Sequence, residues 1–136
     1  MQPMLLPLRR YAEFRGRSSR SEFWLFLLFL IVALALLGAV ETILGIGGGY
    51  DRTVITYPGY YWADVRQHGG PLTGLFALAM LIPLLAVAVR RLHDSGHSGW
   101  WLLIGLIPAA GELVLLIFLV QRGDAGSNRF GPPSSD

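Results

Sequence analysis

The side chains of this chain best able to do chemistry are concentrated in one stretch, Arg90-Arg91-Leu92-His93-Asp94-Ser95-Gly96-His97-Ser98-Gly99-Trp100-Trp101. His93, Asp94 and His97 spell H-D-x-x-H. On a continuous helix the two imidazoles would share a face and could hold a metal ion beside a carboxylate. Ser95-Gly96 between them and Ser98-Gly99 after them favour a turn instead, which breaks that geometry. The chain has no cysteine, and no other histidine lies close in sequence to give a third ligand. The stretch therefore reads as a structured surface loop. Asp94 is placed to cap backbone amides or pair with an arginine, and His93 to bond the backbone. Trp100 and Trp101 are placed to anchor the next helix at lipid headgroups. Arg90 and Arg91, together with Arg17 and Arg20, also suit the geometry of a phosphate or lipid headgroup.

A second candidate is Glu112, within the apolar run Trp100–Val120. Insertion scales charge roughly 2.5–3.5 kcal/mol for an Asp at the centre of a membrane helix. Helical spacing puts Gly105, Pro108, Ala109 and Glu112 on one small-residue face suited to packing against another helix. Three roles are open to it: relaying a proton or cation, bonding locally to a backbone carbonyl or Thr73, or reaching water near the tip of a hairpin. Arg122-Gly123-Asp124 matches an adhesion tripeptide, but three residues recur by chance.

These groups must be positioned by apolar elements. Hydrophobic residues make up 53% of the chain and charged ones 15%, against about 25% charged in a soluble domain. Phe23–Val40 and Pro71–Val89 carry no charge, and Trp100–Val120 carries only Glu112. Crossing a bilayer core of ~30 Å takes about 20 such residues. Too little polar sequence remains to cover three such helices in water. The expected fold is therefore all-α integral membrane. It would be a small bundle of three transmembrane helices, spanning about 22–46, 71–89 and 100–120, in one domain. The first run is too long for a secretory h-region and lacks a clean cleavage site, so it reads as an uncleaved anchor.

Arginine sets the orientation. All 11 basic residues are arginine, and Arg9, Arg10, Arg15, Arg17 and Arg20 precede the first span. Arg90 and Arg91 sit in the short loop after the second. This predicts a cytoplasmic N-terminus and 90–99 loop, and an outer loop at 47–70. That loop is glycine-rich, then aromatic (Tyr57, Tyr60, Tyr61, Trp62), and His68 falls on the outer side. Residues 121–136 read as a flexible tail. Ser19 and Glu22 fit a capping box at the first span, and residues 5–12 fit a short interfacial helix. Pro83 predicts a kink in the second span. Pro108-Ala109-Ala110-Gly111 interrupts the third, leaving a continuous kinked span or a re-entrant hairpin; the continuous helix is the commoner arrangement.

Three blocks resemble the bacterial membrane family called domain of unknown function 805. Phe14–Trp24 is similar to its F-x-G-R-x-x-R-x-x-F-W motif. Arg90–Trp101 is similar to its R-R-L-H-D-x-G-x-S-G-W-W. Gly123–Pro132, with Asn128 and Arg129, is similar to its G-x-x-G-x-N-R-aromatic-G-P. The resemblance covers roughly residues 14–132; Glu112 and the aromatic outer loop lie outside its motifs. It implies a bacterial inner-membrane protein and no particular activity, substrate or cofactor. A re-entrant third segment would bring the three blocks together, with Asp94 paired to Arg17 or Arg129.

The expectation is thus a non-enzymatic protein without cofactor or metal. Its cluster of Arg17, Arg20, Arg90, Arg91, His93, Asp94, Trp100, Trp101, Asn128 and Arg129 would organise the bundle. The expected partners are membrane lipids, and a second copy or another membrane protein; a net charge of +2 and arginines explained by topology argue against nucleic acid. Two alternatives carry their own marker. An oligomeric transporter or channel would use Glu112, and a lipid- or phosphate-acting enzyme would use His93, Asp94 and His97.

Overall fold

The computed structural model describes residues 3–47, 50–57, 60–67 and 69–134, with the backbone alone for Pro3 and for the residues of 50–67. A 3₁₀ turn (Pro3–Leu5) leads into α1 (Leu6–Arg9), then α2 (Arg20–Leu44), strands β1 (Tyr50–Tyr57) and β2 (Tyr60–Gln67), and α3 (Pro71–Asp94). A second 3₁₀ helix (Gly99–Leu106) and α4 (Ala110–Val120) follow. The chain divides into two compact units, Met1–Leu30 with Met80–Asp136, and Ile31–Ala79.

α2 and α3 are the two described helices long and apolar enough to cross a membrane. In their most apolar 18-residue windows only 17% and 22% of residues are buried. Core helices of a soluble protein would be mostly covered. Here Leu28, Leu36, Leu75 and Leu78 are all more than half exposed, the pattern of side chains solvated by lipid tails. The buried apolar core of the first unit is small: Phe23, Phe26, Leu30, Ala86, Val87, Leu92 and Leu119.

Several expectations change. α3 runs on to Asp94, so Arg90, Arg91, His93 and Asp94 stand on its last turns and not in a loop. The helix stops at Gly96, whose φ of 75° is one that glycine reaches without penalty. The Gly96 amide donates to the His93 carbonyl and the His97 amide to that of Leu92, a Schellman closure. This closure is what separates His97 from the helical face of His93.

The third apolar segment is neither one continuous helix nor long enough in either half to span. The chain reverses between Leu106 and Ala110. Ala109 has φ 62° and ψ −64°, and the Ala110 amide donates to the Pro108 carbonyl at 2.8 Å. That is a γ-turn of the rarer, strained hand. α4 then packs back along the 3₁₀ helix, and a Cβ on Gly111 would collide with the Ile104 carbonyl. His97 and Trp101, at the start of the segment, both pack on Phe118 near its end. Both ends of this hairpin therefore lie together.

The segment expected as an outer loop contains an antiparallel pair, with Tyr50 opposite Gln67 and Tyr57 opposite Tyr60. The fold is thus helical with one added hairpin, not all-α throughout. Placements of the loop's tyrosines, Trp62 and His68 fall outside the described side chains. In the second unit Glu41, 2% exposed, accepts the Leu72 amide at 2.5 Å and the single Thr73 amide at 3.3 Å from each carboxylate oxygen. The Thr73 hydroxyl donates to the same carboxylate. Pro71 opens α3 and Gly70 before it has no side chain, so this N-terminus is capped from α2.

Candidate functional site

The first unit gathers the three polar blocks around one carboxylate. Asp94, on the last turn of α3, is 4% exposed. Its Oδ1 accepts Arg17 Nε at 2.8 Å and the Ser134 hydroxyl at 2.9 Å, and its Oδ2 accepts Arg91 Nη1 at 2.5 Å. Both guanidinium groups are almost fully buried. Such burial is sustainable only where paired charges and hydrogen bonds replace lost water.

The remaining donors of the two arginines go to backbone carbonyls. Arg17 Nη1 bonds Gly126 O at 2.7 Å, and Nη2 bonds Asp124 O at 2.5 Å and Asp94 O at 3.2 Å. Arg91 Nε bonds Leu119 O at 3.0 Å, and its Nη2 bonds Gln121 O. The acceptors at Leu119 and Gln121 end α4, where carbonyls lack helical partners and the dipole favours a cation. Arg91 thereby ties the end of α4 to the end of α3. Residues 121–134, expected as a flexible tail, are instead docked; the Asp124 amide donates to Asp94 O at 2.8 Å.

Arg90 faces another direction and is fully buried. Its Nη2 lies 3.1 Å from Glu22 Oε1, without the angle of a hydrogen bond. The capping box is therefore half made. Ser19 Oγ accepts the Glu22 amide at 3.2 Å, while the Glu22 carboxylate turns to Arg90. The Ser18 amide donates to the Arg90 carbonyl at 3.1 Å, which fixes the approach to α2 against α3.

His93 touches all three blocks. Its Nδ1 lies 3.1 Å from Gly16 O, so that nitrogen must carry the proton. Its ring stacks on Phe130 at 3.8 Å and 5°, and Arg129 covers that phenyl ring at 4.7 Å. Asn128 Nδ2 donates to His93 O at 3.0 Å and to Asp124 Oδ2 at 2.8 Å. Arg129 donates to Gly96 O at 3.2 Å and is not a partner of Asp94. His97 is engaged separately, on Ser95 Oγ at 3.2 Å and the Phe118 ring at 4.1 Å. Among the described residues no group of three His, Cys, Asp or Glu converges as a metal site would require.

Trp100 is 79% exposed and Trp101 43%. Glu112 lies in the first turn of α4 and is exposed, not sandwiched between helices. Thr73, its expected partner, is held by Glu41. Arg20 and Arg122 are exposed at the rim of a polar cleft of about 600 Å³, lined also by Arg17, Asp94, Asp124 and Ser134. Sequence reasoning missed Asp124, Phe130 and Ser134. The one usable signal is the third block itself, whose Asn128 and Arg129 belong to the expected cluster although residues 121–136 are expected as a flexible tail.

The chain is similar in sequence to proteins of known name. "Inner membrane protein YhaH" of Escherichia coli (strain K12) is 38% identical over 125 residues, 92% of this chain and 89% of that protein. "Inner membrane protein YhaI" of the same strain is 37% identical over 131 residues, 96% of this chain and 93% of that protein. "Uncharacterized protein YiiR" is 26% identical over 150 residues, covering 91% and 87%. No solved structure matches significantly. The profile of the family described as "Protein of unknown function (DUF805)" matches residues 11–132, a range that takes in every member of the Asp94 network except Ser134. The chain is a member of that family.

Proposed function

We propose that this chain is an integral inner-membrane protein with a cytoplasmic N-terminus, two crossing helices and a re-entrant third segment. Its three polar blocks form a non-enzymatic cap at the inner surface that fastens the re-entrant hairpin and meets lipid headgroups. The observation that carries the reading is the Asp94 network. Arg17 and Arg91 spend their donors on protein carbonyls and one carboxylate, which is what a structural clamp requires and what a catalytic cation does not. The inner-membrane names of the relatives and Arg9, Arg10, Arg15 and Arg17 before α2, with Arg20 at its first residue, support the location and orientation. Exposed Trp100 and Trp101 suit the headgroup layer.

The test is sidedness. Reporters that are active only in the cytoplasm, fused before Met1 and after Asp136, should both be active, because an even number of crossings leaves both ends on one side. An inactive C-terminal fusion beside an active N-terminal one, with a reporter active only outside the cytoplasm giving signal after Asp136, would overturn the re-entrant reading.

A further inference from the structure

We propose that the cleft beside the cap is a binding site for a phosphate-bearing anion, seated by Arg20 and Arg122. Its lining carries Arg17, Arg20 and Arg122 against two carboxylates, Asp94 and Asp124. Both carboxylates are occupied: Asp94 by Arg17, Arg91 and Ser134, and Asp124 by Asn128. Arg17 is occupied as well. Arg20 and Arg122 make no hydrogen bond or ion pair with any described residue, and both open onto the cleft. Unlike Arg17 and Arg91, they have unspent planar donor forks, the geometry that suits phosphate oxygens.

The two arginines come from separate elements, the first residue of α2 and the segment just beyond α4. The docking that builds the cap also brings them to one cleft. At about 600 Å³ the cleft falls within the usual range of small-ligand sites and has room for a phosphodiester headgroup or free phosphate. The proposal deepens the headgroup reading of the proposed function by naming the site and the ligand class.

The test uses the full chain purified in detergent. Retention of a short-chain phosphatidylglycerol is followed by native mass spectrometry, with the diacylglycerol of the same chains as control. Inorganic phosphate is titrated separately by thermal shift. Retention of phosphatidylglycerol over diacylglycerol identifies a lipid headgroup; stabilisation by phosphate alone identifies a soluble anion. In either case Arg20→Gln and Arg122→Gln should each weaken binding at least about tenfold, the loss of one charge-assisted contact. Arg15→Gln removes the same charge from an exposed position outside the cleft and should leave binding within about twofold. Absence of both binding signals, or an equal loss in Arg15→Gln, overturns the proposal. Reporter sidedness is read on the wild-type chain, without any ligand, so failure here leaves the topology reading to stand or fall separately.

Discussion

The two ends of α3 solve the same problem with opposite charges. At its N-terminus one carboxylate, Glu41, accepts the free amides of Leu72 and Thr73. At its C-terminus the free carbonyls are met by cations and amides: the Asp94 carbonyl by Arg17 and the Asp124 amide, and the His93 carbonyl by Asn128. Each arrangement puts the charge that the helix dipole favours at the right end. They differ in cost. The anion at the N-terminus is neutralised by backbone and hydroxyl donors alone. The cations at the C-terminus are buried and need a counter-charge, so Asp94 becomes indispensable. One end has a cap; the other has a network with a single acidic hub.

The sharpest way to break this contrast is Asp94→Ala. It leaves Arg17 and Arg91 buried without a counter-ion, and breaking a buried pair costs about 3–5 kcal/mol. Chemical unfolding of the purified protein in detergent should register that loss; one below about 1 kcal/mol would mean the hub is not buried in solution. Glu41→Ala comes next. It should cost about 1–2 kcal/mol, the usual value of a helix cap, while Glu41→Gln, which keeps one acceptor oxygen, should lose roughly half as much. Equal losses at residues 41 and 94 would erase the distinction between cap and hub.

The smallest effect sets the baseline, the exposed pair Arg10–Glu13 at 2.7 Å. Glu13→Gln should cost no more than about 0.5 kcal/mol, as for surface ion pairs generally. The Arg10 hydrogen bond holds the Glu13 carboxyl below its ordinary value, and the same bond raises Arg10. The pair's contribution is therefore present at neutral pH and lost as pH falls through the depressed Glu13 value, below about 4.3. A pH titration of unfolding midpoints in wild type and Glu13→Gln should converge on that acid side.

Much of this was legible in the sequence because apolar runs and arginine bias act locally. α2 and α3, the break at Pro108–Gly111 and the Ser19 cap follow from composition and short-range spacing, whereas the Arg17–Asp94 pair enters only through the family resemblance, as one of two pairings open to Asp94. What was not legible depended on partners far away in the chain. Glu41 falls inside the expected first span, 22–46, and nothing near it announces that Gly70-Pro71 lacks a cap. Arg90 and Arg91 read as loop residues because α3 was ended at the first charge. Charged side chains saturated by carbonyls can continue a helix, and those carbonyls belong to residues about 30 positions on. Glu112 was assigned to a helix centre because the reversal at Ala109 cannot be distinguished from a kink by periodicity alone.

The order in which the chain is made gives the docked tail a temporal meaning. Arg17 finds its acceptors at Asp124 and Gly126, and Asp94 its hydroxyl donor at Ser134. At about 5–20 residues per second, roughly 5–20 s separate synthesis of Arg17 from synthesis of Gly126. Throughout that interval the guanidinium of Arg17 has neither acceptor and must remain in water. Arg91 has its acceptors at Leu119 and Gln121 once α4 is made, but the bonds of Arg17 that hold residues 121–134 arrive only with the final segment of the network. The polar cap is therefore complete only once that segment has been made and is free to dock.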